Sequence, residues 1–201
     1  QAVDAYRKPE RFEEFLRAHP LDARSPRILY LFGAVHEAKA HALEESKGDK
    51  DAIASSYRKA IEEWTKLVSK YPQSPEARLA LMKSAGIHEG EFGEFEKALQ
   101  IYRKLVAEFG YAEANGSIAR LTQKSLDLSA DRTFRTSEKA VVKLKLRNIE
   151  KCTFRLHKID LQAYFRKMHG ISGVEGLDVS LIQPDKTWEF KPEGYVKYKP
   201  F

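Results

Sequence analysis

The 201-residue chain carries 35 Lys and Arg against 29 Asp and Glu, a net charge of +6, with 42% apolar and 11% aromatic residues. That composition can bury a core and excludes a chain disordered by composition. No apolar run approaches the roughly 18 residues of a membrane-spanning helix, and the lone cysteine, Cys152, excludes an internal disulfide framework while leaving the compartment open.

The charge is unevenly placed. Residues 1–130 hold 20 basic and 20 acidic side chains, and residues 131–201 hold 15 and 9, so the whole excess sits in the last third. The shift predicts two domains, 1–128 and 129–201. A chain that starts at Gln1 and stops at Lys-Tyr-Lys-Pro-Phe reads as a piece of a longer protein.

The first domain repeats. FEEFLRAHP (12–20), WTKLVSKYP (64–72) and YRKLVAEFG (102–110) align without gaps. Extending the last two backward makes Lys59/Lys97, Ala60/Ala98, Lys66/Lys104, Leu67/Leu105 and Val68/Val106 identical at an offset of 38. Their apolar positions fall at i, i+3, i+4 and i+7, the stripe of an amphipathic helix. The segments before them, SPRILYLFGAVHEAKAHAL from Ser25 and SPEARLALMKSAGIHEGEF from Ser74, are helical as well. Serine is a good N-cap, and proline suits the first helical position. Each unit is a helix, a turn and a second helix that cannot bury its apolar face alone, so neighbours stack. A last helix over 111–126 caps the array.

These units resemble the tetratricopeptide repeat. Ala85-Gly86 stands where that family has Leu-Gly, Ala98 at its small residue of the second helix, Tyr102 at its aromatic and Gly110 near its closing proline. The resemblance implies an all-α helix-hairpin solenoid whose concave face binds a peptide or protein. Lys83, Ile87 and Glu91 are expected to project toward that groove. The first unit departs from the pattern: Ser25-Pro26 to Ser74-Pro75 spans 49 residues, 11 more than 38. Eleven residues are about three helical turns, to be shared between two helices.

Three features here imitate functional motifs. His36-Glu37 and His41 resemble HExxH, but the second histidine comes one residue late. A five-residue step puts the rings about 140° apart on the helix, whereas the zinc motif needs i and i+4. Ordinary helix surface is the better reading. Asn115-Gly116-Ser117 matches a glycosylation sequon inside an expected helix and is discounted. His88 beside Glu89 reads as a helix end.

The second domain changes period. Val142, Leu144 and Leu146 alternate with Lys143, Lys145 and Arg147, which predicts a half-buried strand. Asn148 to Lys151 is a turn. Cys152, Phe154 and Leu156 alternate with Thr153, Arg155 and His157 in a second strand. LQAYFRKM (161–168) is helical by spacing, and Gly170, Gly173 and Gly176 mark a loop. Val179 and Leu181 start a strand, Pro184-Asp185 turns it, and Trp188 and Phe190 share a face of the returning strand. The domain reads as an antiparallel β-sandwich-like fold with one short helix, and the whole chain as α+β.

Parity separates the reactive-looking residues. Cys152 should face inward and His157 outward, and a nucleophile cannot reach its base across a strand. Cys152 therefore reads as structural. Lys143, Lys145, Arg147 and Arg155 form a basic face, but without stacking aromatics or a recognition helix.

FRTSEKAVVKLKLRNIEKCTFRLHKIDLQAYFRK (134–167) and DVSLIQPDKTWEFKPEGYVKYKPF (178–201) resemble the first macroglobulin-like domain of bacterial α2-macroglobulin-like proteins, in some of which helical repeats precede that domain. The resemblance implies a seven-stranded sandwich, truncated here, and a large exported parent in the periplasm or cell envelope. Members of that family trap proteases through a thioester in a Cys-Gly-Glu-Gln segment. This chain has no such segment, so trapping does not carry over to it.

The expected function is a non-enzymatic interaction or scaffold segment. It would have no cofactor and no metal, and its partner would be a protein, a peptide or the parent's other domains. Small molecules are disfavoured. A nucleic-acid module using the basic β-domain, or a peptidase-type enzyme with an unrecognised site, are the rivals.

Overall fold

The computed structural model describes residues 9–135, 137–170, 172–173, 176–179 and 182–201. The architecture is α+β, in two compact units that divide after Gln123.

The first unit contains α1 (Pro9–Ala18), α2 (Ser25–Glu45), α3 (Lys50–Lys70), α4 (Pro75–Gly90), α5 (Phe95–Phe109) and α6 (Ala114–Thr122). Each helix packs on its sequence neighbours, and α2 also meets α4. The 11 surplus residues of the first pair are found where expected. Helix α2 has 21 residues against 16 in α4, and α3 has 21 against 15 in α5.

The offset of 38 is a packing rule. Ala60 and Ala98, Leu67 and Leu105, and the rings of Trp64 and Tyr102 are all buried at equivalent positions. Small residues at Ala60, Ala98 and Ala85 let neighbouring helices approach. The closest approach is made elsewhere. A Cβ at Gly33 of α2 would lie 2.2 Å from Nε1 of Trp64, and that Nε1 donates to the carbonyl of Tyr30 at 3.0 Å. Glycine at 33 is what admits the largest buried ring of the core. Gly86, aligned with the family's glycine, faces open space instead.

The helix ends follow local chemistry. Asp49 caps α3 by accepting from the amide of Ala52 at 2.9 Å, and Ser74 caps α4 by accepting from Ala77 at 3.1 Å. Gly110 closes α5 in the left-handed region, φ 61°. Ser25 does not act as expected. Its hydroxyl donates to the carbonyl of His19 at 2.8 Å, Arg24 occupies the cap position, and Ser25 is fully buried. The hydroxyl joins the Asp22 amide on that carbonyl, and closing the preceding turn outcompetes the cap.

The second unit contains β1 (Ser125–Ser129), β2 (Lys143–Arg147), β3 (Cys152–Leu156), α7 (Leu161–Met168) and β4 (Lys186–Phe190). The expected last helix over 111–126 therefore stops at Thr122, and the boundary falls earlier than 128. Ser-Leu-Asp-Leu-Ser alternates, and Leu126 and Leu128 sit opposite Leu146 and Leu144 of β2. Cross-strand leucine pairs favour the strand over a continued helix.

Among the described residues two antiparallel two-stranded sheets form, β1 with β2 and β3 with β4. The returning strand at Trp188 pairs with β3. Val179 lies outside any strand, and Leu181 lies outside the described residues. Phe154 stacks on Trp188 with centroids 5.4 Å apart. Asp185 closes the β3–β4 pair, its amide donating to Leu156 and its carboxylate accepting from the amide of Lys158 at 2.6 Å. On its other side β2 meets the chain's last residues, where Leu146 and Phe201 exchange both backbone hydrogen bonds. Asp160 caps α7 by accepting from Gln162 and Ala163.

Candidate functional site

The groove in the first unit is built from one face of each of two helices. Tyr30, Glu37 and His41 recur at i, i+7 and i+11 on α2. Leu79, Met82, Lys83 and Gly86 recur at i, i+3, i+4 and i+7 on α4. Because both helices pack on α3, these faces converge over Tyr57, and an open cavity of about 360 Å³ lies between them. Ile87 and Glu91 complete its lining.

The groove changes character along its length. Tyr30, Leu79 and Met82 make one end apolar. In the middle, Lys83 Nζ lies 3.0 and 3.1 Å from the two carboxylate oxygens of Glu37. At the far end Tyr57 donates its hydroxyl proton to Glu44 at 3.0 Å, with His41 Nδ1 3.2 Å from the same oxygen and 3.1 Å from the tyrosine oxygen. Burial and the bond to Glu44 push the Tyr57 hydroxyl well above the usual phenol range, so it stays a donor. Glu91 sits at the exposed rim. Desolvation of its carboxyl, with Glu44 beside it as like charge and hydrogen-bond partner, pushes its pKa up, and His41 opposes the shift.

The three residues expected at the groove, Lys83, Ile87 and Glu91, all line this cavity. Their roles differ. Lys83 and Glu91 are exposed, whereas Ile87 is only 5% exposed and belongs to the core cluster. Ile87 supports the wall and does not project from it. The sequence reading did not name Glu37, His41, Glu44 and Tyr57 for this site. They lie on helices far away in sequence, and their one local signal is the i, i+4 and i+7 spacing of Glu37, His41 and Glu44.

The apparent zinc motif dissolves as its angular spacing predicts. His36 lines a different cavity, with Glu63 and Lys66, and burial lowers its pKa. His41 faces the groove. Among the described residues no group of three or more ligating side chains is placed to hold a metal ion. His88 bonds Glu94 at 2.6 Å near the end of α4, and Asn115 lies in α6.

In the second unit Cys152 is half-buried beside Phe154, with Sγ 3.9 Å from the carbonyl of Phe190. His157 is not simply outward. It is half-buried past the end of β3, with Nδ1 enclosed and without a hydrogen-bond partner. The strand ends at Leu156, so parity no longer governs the next residue. His157 and Arg155 line a second cavity of about 820 Å³ with Asp178 and Thr187. No helix among the described residues is long and apolar enough to cross a membrane. No family model, no curated protein and no solved structure matches the chain.

Proposed function

We propose that the chain is a non-enzymatic protein-interaction segment: a tetratricopeptide-like solenoid followed by part of a macroglobulin-like β-sandwich, from a large exported α2-macroglobulin-like protein. The single observation that carries the interaction role is the groove between α2 and α4. It presents apolar side chains, an ion pair and further carboxyl groups along the first helices of two successive hairpins, where a stacked array has a surface to offer. The 38-residue offset with its matching buried positions supports the repeat reading. The antiparallel strand pairs and the residues of 134–167 and 178–201 support the macroglobulin-like one.

The test removes exposed groove side chains and spares the core. Leu79→Ala with Lys83→Ala is expected to keep the melting curve and to lose binding to an array of short peptides. Equal array binding by the variant and the unaltered chain would sink the interaction role at this groove.

A further inference from the structure

Resting on that groove reading, we infer that the groove between α2 and α4 receives a lysine or arginine side chain, presented by a peptide segment with apolar neighbours. Three features of the groove carry this.

The first is space. At Gly33 the helix surface is filled by Trp64, but at Gly86 an added Cβ meets nothing within 4 Å. The middle of α4 is left bare on the groove side. The cavity of about 360 Å³ lies at the small end of the roughly 300–1,000 Å³ typical of ligand pockets. It suits one or two side chains of an extended segment and is too small for a helix face.

The second is direction. Lys83 contacts Glu37 across the groove, and short turns reverse the chain from α2 to α3 and again from α3 to α4. The two helices therefore run parallel along the groove. Its apolar end at Tyr30, Leu79 and Met82 and its acidic end at Glu44 and Glu91 lie in line. A peptide whose basic residue is flanked by an aliphatic one matches that order.

The third is charge. Lys83 is already engaged by Glu37. Past Lys83 the groove ends at Glu91, and Glu44 stands on α2 one turn after His41, hydrogen-bonded by the Tyr57 hydroxyl and 3.2 Å from His41 Nδ1. Glu44 as a like charge adds to the desolvation that pushes the Glu91 pKa up, and a cation at that end would relieve the repulsion. With no described set of ligands for a metal ion, the cation that fits is one with several N–H donors on an apolar stem, as lysine and arginine have.

The experiment uses the full chain and three labelled synthetic peptides, Ser-Gly-Leu-Arg-Leu-Gly-Ser and its versions with Gln or Glu in place of Arg. Fluorescence anisotropy reads the affinity. The Arg peptide is expected to bind at least about tenfold more tightly than the Glu peptide, the size of one charge-assisted pair. Glu91→Gln should abolish that preference and slightly raise the melting temperature, because it removes one of two like charges. A merely structural glutamate would not move the two readouts in opposite senses. Gly86→Leu, which meets open space and favours the helix, should block all three peptides without unfolding. If Arg and Glu peptides bind alike and Gly86→Leu blocks both, the basic anchor is wrong and the groove stands. If Gly86→Leu leaves binding unchanged, the groove itself is the wrong place. No binding by any peptide overturns the inference.

Discussion

The two units use similar amino acids to opposite effect. Among the described residues, 17 of the 18 buried apolar side chains lie before Gln123 and one, Leu146, lies after it. Of the 14 large apolar side chains exposed among the described residues, 12 lie in the second unit. The helical unit has rings such as Trp64 and Tyr57 enclosed on all sides, while Trp188 in the second unit is 41% exposed although it stacks on Phe154. A helix hairpin buries its stripe against the next hairpin, so each added pair deepens one core. A two-stranded sheet has two faces and two edges, and it is marginal without a further layer. The difference shows that alternation alone makes strands, whereas a core requires that their apolar faces meet.

The sharpest way to break this comparison is to delete the same ring type in both units. Trp64→Ala is expected to cost about 3–5 kcal/mol, read as a large fall in the urea midpoint of the helical transition. Trp188→Ala should cost well under half of that, because its ring is already partly in water. Equal losses would mean that the second unit has a core after all. Hydrogen exchange supplies the next test. Amides of α3 and α5 are expected to be protected by several kcal/mol, and those of β1 and β4 to exchange with little protection, as sparse apolar burial dictates. Leu146, opposite Leu126 of β1 and exchanging both of its backbone hydrogen bonds with Phe201, should be the exception.

Two glycines then probe the helical unit from opposite directions. Gly33→Ala pushes a methyl into Trp64 and is expected to cost about 1–3 kcal/mol, the usual penalty of overpacking. Gly86→Ala meets nothing and should add roughly 0.5–1 kcal/mol, the difference in helix propensity. Chemical denaturation of both variants measures the pair. The smallest effect is electrostatic. A glutamate whose pKa is raised in the folded state contributes stability when protonated and loses it as pH rises through the folded pKa. Glu91 therefore opposes folding slightly at neutral pH, and Glu91→Gln should flatten the fall in stability as pH rises above 4.5, the unshifted carboxyl value, read as paired melting curves on the acid side of it and at neutral pH.

Much of the first unit was legible because the chain carries its own comparison. Trp64 and Tyr102, or Leu67 and Leu105, need no outside reference to be recognised as equivalent and therefore buried. Even the eleven extra residues were readable as helix turns. Ser25 was misread because a hydroxyl before proline looks the same whether it caps forward or bonds back to His19. Partner choice among strands was not legible. Nothing within Cys152–Leu156 says that it pairs with Lys186–Phe190, since that depends on Phe154 meeting Trp188 and on Asp185 reaching Lys158. Of the groove, Lys83 and Glu91 were within reach of repeat geometry. Glu44 and Tyr57 were not, because only folding brings them beside α4.

The long first hairpin has a consequence for how such chains change over generations. Lengthening α2 by five residues alone would leave about 7.5 Å of helix with an apolar stripe and nothing to cover it. The six-residue growth of α3 is what makes the first change tolerable. The two lengths are thus coupled, and a graft or deletion that moves the whole hairpin should be tolerated better than one that moves a single helix.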